Sequence, residues 1–434
     1  MSDRMAVYPD GSKPQVPYSP AIKAGGWVFV SGQLASHFET GLVPEATGDG
    51  ENAWLRNRQA LQGRVVLENL KRTLAASGCD IASDVMRSYQ WWVSPHPTIE
   101  AFEAGNHNAR ISMAPYLDVQ NEYFQSRPPS TAVGVRELMV KDCLIEVNLI
   151  AFEPNPEVGP SLIFEDSEDD AAPLAAHSSA IRRGDWVFLS GGPENGLHRD
   201  SVWDEKSSTL EGQVDSTLRR LAAMAERAGS SLERAVKATV YMGHPQDFAG
   251  IDNVWRHWFP EDPPARVVIP FTGLSRQGAR VQIAFKLLAY DSDLTIETIE
   301  ASKVPPQMGH EPHAVKVGKF LFFSTQLPID SKANLAASAM AHANFPYYVQ
   351  PPKLQMRYIL DNVSEICDAA GTSLDQIVNR QFFQDDFSHF ASAMEEWVAH
   401  FPNDPPASTT VRLGGPLQVE GAHVLLDLIG YVPD

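Results

Sequence analysis

The chain has 434 residues, of which 43% are hydrophobic, and a formal net charge of −19. Such a length suits about three domains of roughly 100 to 200 residues each, while the negative charge disfavours nucleic acids and anionic lipids as partners. The sequence shows neither a secretory leader pattern nor an apolar run as long as a membrane span, so we expect a cytoplasmic protein with no membrane and no nucleic-acid partner.

One hairpin pattern occurs three times along the chain. A basic residue and a glycine-containing turn lead into four apolar or aromatic residues and then a serine, as in a half-buried strand with a polar end. The three segments are AIKAGGWVFVSGQ at 21–33, AIRRGDWVFLSGG at 180–192 and AVKVGKFLFFSTQ at 314–326. A repeat of this length predicts three related domains.

A helical pattern follows each hairpin. Apolar residues recur at helical spacing in each copy and stop before a glycine, which is typical of a helix carboxyl-terminal cap. The three glycines are Gly78, Gly229 and Gly371. Each copy continues with a strand, a second helix, a Pro-Pro turn and two closing strands, which gives the predicted order ββαβαββ.

The repeats define the predicted domain boundaries. We expect domains at 1–153, 174–292 and 308–434. The acidic and proline-rich segments 154–173 and 293–307 separate a closing strand from the next hairpin and are predicted linkers.

Several motifs resemble the reactive-intermediate deaminase (Rid) superfamily. They are Pro17-Tyr18, Ser31-Gly32-Gln33, the TGLVP turn at 40–44 and PPARVV at 263–268. The resemblance implies an α+β fold of three tandem chorismate-mutase-like ββαβαββ domains that form a pseudo-trimer within one chain. It also implies clefts between the copies and cofactor-free hydrolysis of an enamine or imine of a small carboxylated metabolite, with release of ammonia. Further self-association is left open.

The family's site residues are distributed unevenly over the copies. The position of the family's arginine holds Arg266 in copy 2 and a serine in the other two copies, Ser130 and Ser408. An arginine there would pair with a substrate carboxylate through two parallel hydrogen bonds. Copy 1 instead retains the family's other site residues, which are Tyr18, Ser31, Gly32, Asn106 and Glu146.

This distribution predicts a composite cleft in which Arg266 meets the site residues of copy 1. If the glutamate must come from the same copy as the arginine, Gln282 takes its place. Gln282 can orient water but cannot accept its proton, so His177, which stands at the tyrosine position of copy 2, becomes the candidate base.

Two other functions stay open from the sequence. An amide or lactam hydrolase resembling the cyanuric acid amidohydrolases would pair a serine of each hairpin with the basic residue eight positions before it, as in Lys23 and Ser31. A ligand-binding pseudo-trimer without turnover would explain the loss of site residues in some copies. His310 and His313 have a spacing that could suit a metal, but no second cluster supports them, and we expect no metal site.

Overall fold

The computed structural model describes residues 3–9, 11, 14, 16–37, 40–49, 56–94, 113–125, 127–165, 177–192, 209–271, 273 and 279–433. Within these ranges, no helix combines the length and the apolar character that a membrane-spanning helix requires.

Repeat 1 places two helices on one sheet. The longer helix begins where the Asn57 side chain accepts hydrogen bonds from two backbone N–H groups. The elements are β1 (Met5–Val7), β2 (Ala21–Ala24), β3 (Trp27–Gln33), β4 (Ser36–His37), β5 (Gly41–Leu42), α1 (Arg58–Ala76), β6 (Val85–Val93), α2 (Ala114–Gln120), β7 (Ser130–Val135), β8 (Glu137–Leu138) and β9 (Ile145–Phe152).

Repeat 2 has the same plan. Its elements are β10 (Leu162–Phe164), β11 (Ala180–Arg183), β12 (Trp186–Gly192), α3 (Leu210–Arg227), β13 (Ala235–Met242), α4 (Phe248–Trp258), β14 (Ala265–Pro270) and β15 (Val281–Leu288).

Repeat 3 has the plan once more. Its elements are β16 (Ile296–Ile299), β17 (Ala314–Val317), β18 (Phe320–Phe323), α5 (Pro351–Ala370), β19 (Ile377–Gln384), α6 (Phe390–His400), β20 (Ala407–Arg412) and β21 (Leu425–Tyr431). The predicted glycine caps are confirmed: Gly78, Gly229 and Gly371 follow their helices with φ of 83°, 78° and 77°.

The three sheets share one strand order. Repeat 1 has the order β1-β2-β3-β9-β6-β7, and repeat 2 has β10-β11-β12-β15-β13-β14. Repeat 3 has β16-β17-β18-β21-β19-β20 and gains β8 of repeat 1 at its edge. In each repeat, the strand that follows the long helix pairs in parallel with the strand that follows the second helix, as β19 does with β20. The predicted three-repeat α+β fold is therefore confirmed.

Each segment that was predicted to be a linker contributes an edge strand. β10 pairs antiparallel with β11, and β16 pairs antiparallel with β17. The first strand of a repeat therefore lies before the hairpin. The short strand segments Leu162–Phe164 and Ile296–Ile299 gave little signal because most of their side chains are exposed, so they lack alternating burial.

One apolar core is common to the three repeats. Trp27, Trp186 and Phe320 occupy the same hairpin position in the three repeats and meet there, with the Trp27 ring 4.8 Å from Trp186 and 4.6 Å from Phe320. Each repeat also has its own core between its sheet and its helices. The sheets therefore face one another on one side and their own helices on the other.

Candidate functional site

A hydrogen bond from a backbone N–H to a serine hydroxyl joins each repeat to the next. The N–H of the residue at the family's arginine position donates to the hairpin serine of the following repeat. The three bonds are Ser130 to Ser190 at 3.0 Å, Arg266 to Ser324 at 3.1 Å and Ser408 to Ser31 at 2.7 Å. We refer to these three contact regions between repeats as clefts 1/2, 2/3 and 3/1, after the repeats that form them.

The prediction that Arg266 shares a composite cleft with repeat 1 is wrong. Arg266 faces repeat 3, because its N–H bonds to Ser324 and its Nε donates to Glu311 Oε2 at 2.9 Å. The order of the repeats around the common core causes this, since the penultimate strand of repeat 2 lies against the hairpin of repeat 3. Arg266 therefore does not meet the site residues of repeat 1, which are Tyr18, Ser31, Gly32 and Glu146.

Cleft 2/3 holds Arg266 in an ion network that engages its Nε and Nη2, while its Nη1 is buried without a hydrogen-bond partner among the described residues. The side chain of Arg266 is fully buried and pairs with the carboxylates of Glu311 and Asp252. Asp252 also accepts from Arg256 and from the N–H of His310. Burial opposes ionisation of Asp252, but the Arg266 guanidinium, the His310 N–H and Arg256 together outweigh it and lower the pKa of Asp252, whereas burial raises the pKa of Glu311 despite the guanidinium. The protein's own carboxylates thus take the place that a substrate carboxylate would need.

Cleft 3/1 contains a second buried arginine, Arg380. Its Nε and Nη2 donate to Ser408 Oγ at 2.9 and 2.6 Å, and its Nη1 lies 3.2 Å from Met394 Sδ. Ser408 is the residue at the family's arginine position, and Arg380 is its direct neighbour in the parallel pair β19–β20. The cation that repeat 3 lacks at 408 is therefore supplied by the adjacent strand.

Arg380 and Arg266 contact equivalent helix residues. Arg266 lies 4.8 Å from the ring of Trp255, and Arg380 lies 4.2 Å from the ring of Trp397. Trp255 and Trp397 are each the eighth residue of the second helix of their repeat. The two guanidinium groups therefore occupy corresponding places in clefts 2/3 and 3/1.

The partners of the two arginines differ. The fifth residue of the second helix is Asp252 in repeat 2 but Met394 in repeat 3. The family's tyrosine position is Glu311 in cleft 2/3 but Tyr18 in cleft 3/1. Both carboxylates that bind Arg266 are thus replaced by uncharged groups at Arg380.

Arg380 has no carboxylate partner among the residues that the structure describes. Burial lowers the pKa of its guanidinium to about 9, which leaves it charged at neutral pH. A buried charge without a counter-ion is costly. A carboxylate ligand would supply that counter-ion.

Sequence reasoning missed Arg380 because the residue is displaced by one position along its strand. Alignment of the repeats puts Arg87 and Lys237 at one position of β6 and β13, and Arg380 one residue later in β19. Arg87 and Lys237 donate to backbone carbonyls of the next repeat. Successive strand residues point to opposite faces, so Arg380 instead points to the helix side. This one-residue shift of the basic residue was the feature of the sequence that could have identified Arg380.

Repeat 1 contributes a carboxyl group to cleft 3/1. A Cβ on Gly32 would lie 1.8 Å from Glu146 Oε1, so the carboxyl lies directly against the Gly32 backbone. The other oxygen, Oε2, is buried without a hydrogen-bond partner among the described residues. Burial raises the pKa of Glu146 to about 8, so it is mostly protonated at neutral pH.

Tyr18 and Ser31 complete the repeat 1 side of the cleft. Burial, followed by the nearby Glu146 carboxyl, raises the pKa of Tyr18, so the phenol is neutral. Ser31 Oγ donates to Ser19 O at 2.6 Å and accepts from the Ser408 N–H. The chain of contacts from Arg380 through Ser408 to Ser31 therefore links the cation to the side of the cleft that carries Glu146.

Cleft 1/2 has no acid at the position of Glu146. Gln282 stands there, and its Nε2 donates to Gly191 O at 2.7 Å. His177 Nδ1 lies 3.0 Å from Ser190 Oγ, which also donates to the carbonyl of Ser178. The structure thus brings His177 and Gln282 to this cleft, where Ser130 stands in place of the arginine. Asn106, the remaining predicted site residue, lies outside the described residues.

The basic residues of the hairpins pair with carboxylates. Lys23 pairs with Glu153 at 2.5 Å, and Arg182 pairs with Asp291. Ser31 and Ser190 bond to backbone groups of their own and neighbouring repeats. These contacts do not favour the serine and lysine pair that an amidohydrolase of the cyanuric acid type would need.

His310 and His313, the two histidines that were considered for a metal, contact different groups. His310 Nε2 contacts Phe259 O at 2.8 Å. His313 contacts Glu300 and Pro305 O with its two ring nitrogens. Their contacts therefore do not form one ligand set.

Together, the fold and these clefts define an α+β protein of three fused repeats with its candidate sites between the repeats. The sequence profile of the family described as Endoribonuclease L-PSP matches the chain three times, at residues 10–153, 168–288 and 302–420. The chain therefore belongs to this family, which is the Rid family that its motifs resemble, and contains three copies of the family's domain.

Relatives of this family each match about a quarter to a third of the chain. A RutC family protein of Sulfurisphaera tokodaii is 32% identical over 118 residues, which are 27% of this chain and 86% of the relative. The chloroplastic Reactive Intermediate Deaminase A of Arabidopsis thaliana is 28% identical over 104 residues, or 23% of this chain and 52% of that protein. The crystal structure of RidA from a Psychrobacter species is 29% identical, with a TM-score of 0.26, and covers 31% of this chain and 99% of its own.

Proposed function

We propose that this protein is a cofactor-free hydrolase that converts an enamine or imine of a small carboxylated metabolite into a 2-oxo acid and ammonia in cleft 3/1. The observation that carries the proposal is the buried guanidinium of Arg380, which has no carboxylate partner among the described residues. The resemblance to enamine and imine deaminases and the relative named Reactive Intermediate Deaminase A support the choice of reaction.

Arg380 binds the substrate carboxylate in this proposal. A planar guanidinium can hold a carboxylate through two parallel hydrogen bonds, each of which is strengthened by the charges. Its Nη1 has only the weak acceptor Met394 Sδ as a hydrogen-bond partner among the described residues, and it can turn to a ligand without breaking an ion pair. Substrate binding would thereby provide the counter-ion that Arg380 lacks among the described residues.

Glu146 moves the protons in this proposal. Its carboxylic acid first protonates the terminal carbon of the enamine, which forms the iminium ion and the Glu146 carboxylate. That carboxylate then takes a proton from water as the water oxygen bonds to the iminium carbon. The acid next protonates the amino group of the carbinolamine, the C–N bond breaks with release of ammonia, and the hydroxyl proton returns to Glu146.

Each of the other two clefts lacks at least one of these parts. Cleft 2/3 has Leu425 at the position of the glutamate, and its arginine is bound by Asp252 and Glu311. Cleft 1/2 has Gln282 at that position and Ser130 at the position of the arginine. Cleft 3/1 is therefore the one for which a cation and a titratable carboxyl are both proposed.

Ammonia release from an imine of the 2-aminoacrylate type, generated in situ, tests the proposal. Arg380→Lys and Arg266→Lys are a matched pair, since each retains the positive charge and removes the planar fork. We expect Arg380→Lys to lower kcat/KM by about tenfold or more, because a hydrogen bond to a charged group contributes about 1.5 to 3 kcal/mol. Arg266→Lys should stay within about twofold of the wild type.

The result that contradicts the proposal is equal kcat/KM for the wild type and Arg380→Lys, measured on proteins with matching circular dichroism spectra. A wild-type rate no faster than that in buffer would reject catalysis altogether. That second result would favour a ligand-binding protein without turnover.

A further inference from the structure

Repeat 3 carries a cluster of three potential metal ligands away from cleft 3/1. One nitrogen each of His389 and His423 and a carboxylate oxygen of Asp385 lie within 4.8 Å of one another. His389 Nδ1 lies 3.1 Å from Asp385 Oδ1, and His423 Nδ1 lies 2.8 Å from Asp385 Oδ2. Sequence reasoning did not find this group because His423 is distant in the chain and lies just before β21.

The fold brings these residues together at the ends of neighbouring strands. Asp385 directly follows β19, and His389 comes one helical turn later, at the N-cap of α6. His423 lies two residues before β21, which is the antiparallel neighbour of β19. Its backbone N–H is held by Gln355 Oε1 at 2.7 Å. Three elements therefore fix the three side chains.

The spacing of the ligand atoms suits one ion. Two ligand atoms that are each about 2.1 Å from a metal ion, at angles of about 90° to 110°, are about 3.0 to 3.4 Å apart. The distance from His389 to Asp385 Oδ1 lies in that range, and the distance from His423 to the other carboxylate oxygen, Oδ2, is slightly shorter.

A pocket of about 490 Å³ adjoins the cluster. Asp385 and His389 line it together with Arg136, Arg412 and the Gly414-Gly415 turn. Arg136 belongs to repeat 1, and its N–H donates to Arg412 O at 2.9 Å, so the pocket lies at the junction of repeats 3 and 1. An ion held by the cluster would have open coordination positions towards this space.

Arg412, whose Nε donates to Asp385 O at 3.2 Å, does not stand in the way of a cation. Arg412 Nη1 pairs with Glu137 at 3.0 Å and its Nη2 pairs with Asp386 at 2.7 Å. These two carboxylates balance its charge. Asp385 therefore remains as the negative group for the ion.

We propose that Asp385, His389 and His423 form a binding site for a divalent first-row transition-metal ion of the zinc type, whose remaining positions face the pocket. Imidazole nitrogen is a ligand of zinc, cobalt and iron(II) rather than of calcium or magnesium, which bind through oxygen atoms such as those of carboxylates. The site is separate from the Arg380 site of cleft 3/1, because Asp385 lies five residues beyond Arg380, or about 16 Å along an extended strand. The inference does not depend on the proposed hydrolase activity.

Titration of the full-length protein with CoCl₂ after treatment with a chelator tests the site. We expect one equivalent of Co²⁺ to give visible d–d absorption and to raise the melting temperature, with ZnCl₂ displacing the Co²⁺. His423→Ala and Asp385→Asn should each weaken binding by at least tenfold. His342→Ala, which changes an exposed histidine elsewhere in repeat 3, should leave binding unchanged.

Either of two results would overturn the site. One is the absence of saturable Co²⁺ binding in the wild type. The other is the same affinity and spectrum in the wild type and in His423→Ala, with circular dichroism confirming that the variant is folded. If His423→Ala does not fold, Asp385→Asn, which keeps the size of the side chain, decides the question.

Discussion

At the scale of single residues, the neighbours of an arginine decide whether it can bind a ligand. Arg266 and Arg380 lie against equivalent tryptophans, yet Arg266 is bound by two carboxylates and Arg380 by a serine hydroxyl and a thioether. A buried ion pair already has its counter-ion inside the protein. Arg380, which lacks a carboxylate partner among the described residues, is therefore the better candidate for a substrate-binding cation.

The pH dependence of the reaction is a prediction at this scale. The pKa of Glu146 is raised to about 8 by burial, and the acid form is the one that donates to the enamine. We therefore expect kcat/KM to be highest below about pH 8 and to fall as pH rises through that value, more steeply once Arg380, with a pKa of about 9, also loses its proton. Ammonia release measured from pH 6 to 10 checks this.

Glu146→Gln is the control for the pH profile. The amide keeps the shape of the carboxyl but cannot carry the proton, so we expect a loss of about 100-fold or more. A profile of the wild type that is flat across pH 7 to 9, or full activity in Glu146→Gln, would show that this carboxyl does not transfer the proton.

At the scale of elements, a displacement of one residue along a strand changes which face receives a cation. Arg87 of β6 and Lys237 of β13 bond to backbone carbonyls of the next repeat, and Arg380 of β19 points to Met394 and Trp397 of its own helix. The alternation of side chains along a strand requires this difference. A cation for cleft 3/1 thus arises from β19 rather than from β20.

Gly32 at the end of β3 provides a prediction at this scale. An added Cβ would lie 1.8 Å from Glu146 Oε1, so Gly32→Ala must displace the carboxyl. We expect ammonia release to fall at least tenfold. The equivalent change Gly191→Ala, whose Cβ would lie 2.7 Å from Thr131 Oγ1 in cleft 1/2, should keep activity within about twofold.

Equal activities in these two variants, compared per amount of folded protein, would argue against an active cleft 3/1. A selective loss in Gly191→Ala would point to cleft 1/2 and its residues His177 and Gln282.

The repeat pattern made the helices and strands predictable, whereas the site depends on how the repeats pack against one another. The hairpins and glycine caps could be read from residues such as Trp27 and Gly371, because local periodicity and φ > 0 leave a direct mark on sequence. The partner of Arg266 could not be read, since two cyclic orders of three similar repeats satisfy the same sequence. The exposed edge strands β10 and β16 were missed because they lack alternating burial.

At the scale of the whole molecule, the common core joins the three repeats. The Trp27 ring contacts Trp186 and Phe320 from the other two repeats, and the side chains are almost completely buried. Such packing couples the stability of one repeat to that of the others. The repeats follow one another around this core in an order that brings Arg380, through Ser408, to the hairpin of repeat 1.

Trp27→Ala tests this coupling. We expect the free energy of unfolding to fall by about 3 to 5 kcal/mol, and hydrogen exchange to rise in all three repeats, because the cavity lies between them. Trp92→Ala, which opens the separate core of repeat 1 against Tyr116, should raise exchange mainly in repeat 1. Exchange confined to repeat 1 in both variants would contradict the coupling.

The location of a bound product tests the proposed site most directly. In a crystal structure of the protein grown with a 2-oxo acid such as 2-oxobutanoate, we predict the ligand in cleft 3/1, with carboxylate oxygens about 3 Å from the Arg380 guanidinium and the oxo carbon facing Glu146. A ligand bound in cleft 1/2 or 2/3, with cleft 3/1 free of it, would contradict the assignment.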